Sequence, residues 1–396
     1  VPFRSGDSAE DRQPVILLGR RTAFTRRNGA LRGLTADELL APVLTTVLAD
    51  GGLAAAEVDD VIIGNAVGGG GNVARLALLS AGLPVSVPGL TVDRQCGSGL
   101  EAIVLACRLV QTGAGSLYLA GGVESTSTAP LRAHRLSSTD GAPDFYDRVR
   151  FSPDTIGDPD MGEAAENVAA AYGIARGRQD AFALRSHRLA VQARQAGAFS
   201  SEIVSVTTAA GTVSADSGPR PALTGALLAR LPAVFSAGGT VTAGNSCGDA
   251  DGAVVVAVTS RARARALGAS AYLAFVDAVP AGVDPTLLGI GGADAGLRLM
   301  ARTGVTAAQL GRVEFTEAFA AQTLASLDLM DVPVELANQQ GGALALGHPY
   351  AASGALLVLR LLSQCRAAAP TGELSLSALS IAGGLGLAAL WRWEKA

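Results

Sequence analysis

Cysteine, lysine, histidine and long unbroken apolar runs are all scarce in this chain of 396 residues, and each scarcity excludes something. The four cysteines, Cys96, Cys107, Cys247 and Cys365, are too few and too scattered for a disulfide framework. No CxxC pair suggests zinc, so no metal site is expected and a reducing compartment is the default. Lysine is nearly absent, so arginine must supply any basic groove. The net charge of −4 argues against a nucleic-acid partner, while leaving room for a local groove that holds an anionic cofactor. Glycine, proline or arginine breaks each apolar run within a few residues, and the first thirteen residues are polar and charged. Neither a membrane span nor a signal peptide is read, no membrane partner is expected, and a cytoplasmic location is. The chain begins at Val1, and its extreme N-terminus is assigned no structure.

What is present is a large apolar fraction, 49%, against 17% charged residues, which excludes disorder and allows more than one core unit. From "PVILLGRRTAF" onward, short strands rich in valine, isoleucine and leucine alternate with alanine-rich helices. "DDVIIGNAV" reads as a strand, residues 97–112 as a helix and "SLYLAGGVE" as a strand, the pattern of an α/β sheet covered by helices. Between Ser125 and about Gly248 the character changes to polar loops and one long helix pair, as in an inserted domain. After "DGAVVVAVTS" the alternation resumes and ends in a hairpin, "ELSLSALSI" then "GLGLAALWRW". "CGSGLEAIVLACRLV" from Cys96 and "AASGALLVLRLLSQ" from Ala351 echo each other, a small-residue turn followed by an apolar helix, which reads as an ancestral duplication.

Cys96 sits where a strand hands over to a helix. Free backbone N–H groups at the helix start favour a thiolate there, and Gly97 and Gly99 let a substrate carbonyl approach the backbone. A buried cysteine acting as a small hydrophobe would fit the bare pattern as well. That core role is the better reading for Cys107 and Cys365, which lie in apolar helices. In "GGALALGHPYAASG", Pro349 forces His348 out of helical geometry and the small neighbours leave room for a ligand against its imidazole. His134, in a polar loop, and His187, in a charged helix, are read as solvated or structural.

Taken in order, "RQCGSGLEA", "GGVESTSTAP", "MGEAAENVAAAYGIARGRQDAFALRSHRLA", "GTVTAGNSCGDADGA", "GVDPTLLGIG", "TEAFAAQ", "GGALALGHPYAASGA" and "SIAGGLGLA" resemble the motifs of the thiolases from about Pro14 to Trp393. The resemblance implies the thiolase fold: two similar α/β/α/β/α halves, here 1–124 with 249–268 and 269–396, and an inserted loop domain, 125–248, that binds coenzyme A. It implies a homodimer or homotetramer, no tightly bound cofactor, and an acyl-CoA, or an acyl group on a carrier protein, as substrate. By the same resemblance, the cysteine matching Cys96 takes the acyl group as a thioester. The histidine matching His348 supports the thiolate and helps bind an enolate oxygen. Backbone N–H groups of Cys96 and of the residue at Ala382 form an oxyanion hole. Arg220 and Cys247 match positions that contact coenzyme A, and Met161 and Phe319 match positions lining the acyl and pantetheine channel. A solvated role fits Arg220 and a plain core role fits Met161 and Phe319 nearly as well.

The chain departs from the family pattern where it matters most. The second cysteine, which moves the α-proton in the family, is Ser380; its neighbouring glycine is Ala382; the asparagine of "NEAF" is Thr316; the serine of "GNASG" is Cys247; and Ala351 replaces a usual glycine. Ala382 keeps a backbone N–H and Thr316 keeps a hydroxyl that can hold a water, so those losses are mild. Serine has no useful ionisation near neutrality, and positioned general acids and bases contribute about 10² to 10⁴-fold. The leading expectation is therefore an acyltransferase working through a Cys96 acyl-enzyme, by Claisen-type carbon–carbon bond formation or thiolysis of a 3-ketoacyl-CoA. A decarboxylative condensation, or transfer to a heteroatom acceptor, needs no α-proton base and is the second reading. A catalytically reduced subunit kept for binding is the third.

Overall fold

The computed structural model describes residues 8–135 and 142–395. The first seven residues, positions 136–141 of the polar loop after Ser125, and Ala396 lie outside it. The principal strands are β1 (Pro14–Thr22), β2 (Asp60–Gly64), β3 (Gly89–Val92), β4 (Leu117–Ser125), β5 (Ala250–Ser260), β6 (Ala271–Gly282), β7 (Leu310–Phe315), β8 (Leu374–Ile381) and β9 (Leu385–Lys395). They form one sheet in the order β7-β8-β9-β6-β1-β5-β4-β2-β3, with two short strands attached beside it. β4 and β5 are buried at every position, which is why they read as unbroken apolar runs rather than as alternation.

The duplication seen in the sequence is a duplication of topology. β1 pairs antiparallel with β5, β5 antiparallel with β4, and β4 parallel with β2. β6, β9, β8 and β7 repeat that series of antiparallel, antiparallel and parallel pairings. The halves are joined rather than merely apposed, because β1 also pairs antiparallel with β6 through Val15 and Ala274 and through Ile16 and Leu273. Among the described residues β3 has no full counterpart in the second half; an isolated parallel bridge, Val313 to Ala337, stands at the equivalent place beside β7.

The two echoing segments form helices α1 (Ser98–Thr112) and α2 (Tyr350–Ala368), which pack together in the interior. Their N-termini come close because both carry glycine. A Cβ on Gly354 would lie 2.9 Å from the backbone nitrogen of Leu100, and one on Gly99 would collide with the carbonyl oxygen of Ala351. This approach brings the residues just ahead of each helix, Cys96 and His348, to one point. Gly99→Ala is expected to push the helix ends apart, costing about 1–3 kcal/mol of stability as an overpacked core position. It should also slow modification of Cys96 by a thioester far more than it changes modification by a small alkylating reagent, which needs no histidine.

Between β4 and β5 the described residues form two long helices, Met161–Ala171 and Arg176–Gln195, a short one, Gly225–Ala229, and two small two-stranded sheets. A buried ionic knot ties this region to the sheet. The guanidinium of Arg21 in β1, fully enclosed, donates to both carboxylate oxygens of Asp216 at 2.7 and 2.8 Å and to Glu202 at 3.1 Å. Glu202 in turn accepts from Arg360 of α2. Asp216→Ala strips the bidentate partner from a buried cation and should cost about 3–5 kcal/mol, read as a lowered unfolding midpoint.

Candidate active site

Three local constraints shape the turn that carries Cys96. Asp93 Oδ1 accepts from the backbone N–H of Gln95 at 2.7 Å, Ser98 Oγ accepts from Arg94 N–H at 2.7 Å, and Ser98 Oγ donates back to the carbonyl of Gln95 at 2.6 Å. Between these clamps Gln95 is forced to φ 48°, a left-handed conformation that costs a non-glycine residue about 1–2 kcal/mol. The strained residue immediately precedes Cys96, so the thiol is held out of both the strand and the helix.

On the other side, Gly347 has φ 96°, which glycine alone adopts without strain, and Pro349 follows. His348 is thereby turned out of the helix, as its proline predicts, and its N–H bonds the carbonyl of Gly248 at 2.9 Å. His348 Nε2 lies 3.3 Å from Cys96 Sγ, and Nδ1 lies 2.6 Å from Ser353 Oγ in the first turn of α2. For Nε2 to accept the thiol proton, Nδ1 must carry hydrogen and donate it to Ser353, so the serine selects the reactive tautomer.

The electrostatics differ from the expectation that the helix start would favour a thiolate. Burial pushes the Cys96 thiol up to about 12, and the carboxylate of Glu124 adds to that. The backbone N–H groups of Cys96 itself and of Ala382 pull the other way but do not win. Burial also pushes His348 down to about 4, against a smaller upward pull from Asp249. The resting pair is thus a neutral thiol facing a neutral imidazole. It can release a thiolate only as the proton moves to Nε2.

The other sequence candidates divide. Arg220 and Cys247 line one cavity of about 600 Å³, which runs past His187, Phe235 and Asp249 to Gly347, next to His348. Burial raises the Cys247 thiol, and negative charge on Asp249 or Cys96 would raise it further. Phe319 meets the edge of Phe235 with ring centroids 6.0 Å apart, so it backs that cavity's wall. Met161 starts its helix and does not line this cavity. Thr316 is buried, with no hydrogen-bond partner for its hydroxyl among the described residues, the state of a group free to hold a water or a substrate oxygen.

Ser380 is the opposite case: its hydroxyl donates to the carbonyl of Gly289 at 2.6 Å and accepts from the N–H of Gly292 at 3.0 Å. Its proton is committed to the backbone. Cys107 and Cys365 are buried core residues, as read. His187 is buried rather than solvated; its Nδ1 accepts from the N–H of Arg220 at 3.2 Å, and burial takes it down to about 4.

Several positioning residues carried no sequence signal of their own. Glu124 accepts from Asn65 Nδ2 and from the N–H groups of Ala66, Val67 and Ala351, which ties the end of β2 to the start of α2 around Cys96. Glu317 accepts from Ser186 Oγ, Asn338 Nδ2 and the N–H of Leu344, anchoring the loop that leads to His348. Asp249 accepts from the hydroxyl of Tyr350 at 2.7 Å, and the Tyr350 ring meets the His348 ring edge-on at 5.4 Å. All four of these residues sat inside the quoted motifs, Glu124 in "GGVESTSTAP" and Glu317 in "TEAFAAQ", and membership of the motif was the available clue.

No helix among the described residues is long and apolar enough to cross a membrane, and no cluster of potential metal ligands occurs among them.

Comparison with known proteins agrees with this architecture. The sequence model of the thiolase N-terminal domain matches residues 14–262, and that of the C-terminal domain matches residues 269–392. A protein of Staphylococcus haemolyticus with the provisional name acetyl-CoA C-acetyltransferase VraB is 43% identical over 387 residues, covering 97% of this chain and 100% of its own. A like-named protein of Staphylococcus aureus is 42% identical over 381 residues, covering 96% and 99%. The crystal structure of the Bacillus anthracis acetyl-CoA acetyltransferase superposes with a TM-score of 0.91 at 35% identity, over 98% of this chain and 100% of that one. With the family's domains matched in order along nearly the whole length, and its fold reproduced, this chain belongs to the thiolase family and is an acyltransferase of that superfamily.

Proposed function

We propose that Cys96 is the nucleophile of an acyl-CoA-dependent acyl transfer and that His348 is its proton acceptor. The observation that carries this is the 3.3 Å contact between Cys96 Sγ and His348 Nε2. In the first half-reaction the proton passes to Nε2 as sulfur attacks the thioester carbonyl. A carbon–sulfur bond to Cys96 forms, the bond to coenzyme A breaks, and the departing thiolate takes the proton back. The N–H groups of Cys96 and Ala382 face the oxyanion that develops between these events. Coenzyme A enters along the cavity bearing Arg220 and Cys247, so segment 125–248 is the cofactor-binding part of the chain. An acyl group on a carrier protein would use the same channel.

In the second half-reaction an acyl-CoA carbanion accepts the acyl group in a Claisen-type step, or thiolysis runs it in reverse. Thr316 would hold the water that supports the enolate, and His348, water or the substrate would move the α-proton. The engagement of Ser380 with Gly289 and Gly292 favours a second reading, in which the carbanion arises by decarboxylation or the acceptor is a heteroatom. A binding-only subunit is disfavoured by the intact thiol and imidazole contact.

The test is intact-protein mass spectrometry after incubation with a panel of acyl-CoAs. One acyl mass should add, map to the Cys96 peptide and be released by hydroxylamine. Equal labelling of Cys96→Ala would sink the assignment.

The acid limb of that acylation is a second test. The reactive form needs unprotonated His348, whose folded value is lowered to about 4, so the rate should hold as pH falls through 6.5 and drop only near 4. A midpoint near the ordinary histidine value of about 6.5 would mean a solvated imidazole. The homodimer or homotetramer expectation is supported by β3, an edge strand with Leu90 exposed and Val85 projecting beside it, and light scattering checks it.

A further inference from the structure

His348 becomes a cation during the proposed acylation, and burial opposes that cation. Its ring nitrogens are both engaged, Nε2 with the Cys96 thiol at 3.3 Å and Nδ1 with the Ser353 hydroxyl at 2.6 Å, and neither partner carries a negative charge at rest. A counter-charge has to come from elsewhere.

Two carboxylates act on the pair, one on each member. Glu124, enclosed in the core, accepts from the N–H of Ala351 at the start of α2, and its charge opposes a thiolate on Cys96. Asp249 belongs to the histidine: it pairs with His348 in an isolated parallel bridge, and the carbonyl of its neighbour Gly248 accepts from the N–H of His348 at 2.9 Å. These backbone contacts fix Asp249 alongside the imidazole. Its carboxylate is then held by Tyr350, whose hydroxyl donates to Oδ1 at 2.7 Å while its ring stands perpendicular to the imidazole with centroids 5.4 Å apart. Oδ2 meets Arg27 at 3.7 Å, a loose contact between two substantially exposed side chains that water screens. Cys247, which lines the coenzyme A cavity with Asp249, stays a neutral thiol because burial raises it.

We infer that Asp249 is the counter-charge for the His348 imidazolium and that Tyr350 holds it there, which makes both of them positioning residues of the acyl transfer. The inference rests on the Cys96 and His348 reading and extends it. As the proton passes from Sγ to Nε2 and sulfur bonds the thioester carbonyl, positive charge forms beside Asp249; when the proton goes on to the departing coenzyme A thiolate, that charge is gone. Glu124 and Asp249 therefore push in one direction. The first penalises a resting thiolate and the second favours the imidazolium, so the proton crosses while sulfur forms its new bond rather than before.

The experiment follows single-turnover acylation of Cys96 across pH at saturating acetyl-CoA, because Asp249 also lines the coenzyme A cavity. Each protein is held at pH 7 and jumped to the test pH during mixing, so that acid unfolding does not intervene. Asp249→Asn keeps an acceptor for Tyr350 and removes the charge. It should lower the plateau rate by about three- to tenfold and move the acid limb down by about one pH unit, the direction expected when a cation loses its partner. Asp249→Glu should restore most of both. The gap between wild type and Asp249→Asn should narrow as salt is raised, because the carboxylate is partly exposed. Tyr350→Phe keeps the ring and frees the carboxylate, so its fall should be smaller with the limb displaced the same way. A slower Asp249→Asn protein whose acid limb stays at the wild-type pH would show that Asp249 shapes the site without acting as the counter-charge, and the inference falls. A wild-type rate and limb in that variant overturns it as well, leaving the acyl-enzyme reading standing. Failure of wild-type Cys96 to take an acyl group at any pH overturns the acyl-enzyme reading and the inference with it.

Discussion

In His348→Ala protein, acylation of Cys96 is expected to slow by about 10² to 10⁴-fold, the contribution of a positioned proton acceptor. The size follows from the resting state. With the thiol pushed up to about 12, the unaided thiolate at neutral pH is about one part in 10⁵, so reactivity depends on moving the proton during attack. An ordinary cysteine, with a few per cent thiolate at pH 7, would lose far less. Single-turnover acylation followed by rapid quench and mass spectrometry gives the rate, and circular dichroism checks that the variant is folded. A wild-type rate in folded His348→Ala protein would remove the imidazole from the mechanism. Ser353→Ala should cause a smaller loss, because it frees the tautomer without removing the acceptor.

Wild-type protein acylated on Cys96 should exchange the α-protons of acetyl-CoA with deuterium very slowly, and Ser380→Cys should accelerate exchange and thiolysis of a 3-ketoacyl-CoA by about 10² to 10⁴-fold. Serine at this position is a poor base twice over. Its hydroxyl does not ionise in the physiological range, and its proton is already given to Gly289. A thiol makes weaker hydrogen bonds to the same backbone groups and titrates near 8.5, so it can leave them to take a proton. Adding Thr316→Asn should raise the rate further by strengthening the water-mediated support of the enolate. Nuclear magnetic resonance of the exchanging methyl group reads the result. Fast exchange in the wild type would show that a group other than Ser380 already acts as the base. Rapid turnover of a malonyl thioester without exchange would move the protein to the decarboxylative reading, where loss of carbon dioxide supplies the carbanion.

Much of the fold was open to inspection in the sequence because its signals are local. Apolar runs of strand length gave β4 and β5, helical spacing gave α1, and the repeated Ser-Gly gave the duplication, although it lies within the first turns of both helices rather than in a turn ahead of them. Cys96 and His348 stood out for the same reason: each lies in a short stretch whose turn residues have few other uses. Glu124, Glu317 and Ser353 were invisible because their roles lie in partners distant in sequence or in a ring orientation that no residue pattern encodes.

The sequence by itself determined which groups the protein has: one thiol at a strand-to-helix turn, one histidine before a proline, and serine and threonine where the family uses cysteine and asparagine. Tertiary structure decided what those groups can do. Only the apposition of Gly99 and Gly354 brings Cys96 and His348 into contact across 252 positions of chain. Only the surrounding core makes that pair neutral, because desolvation depends on everything packed around a charge and outweighs the backbone dipoles that local sequence supplies.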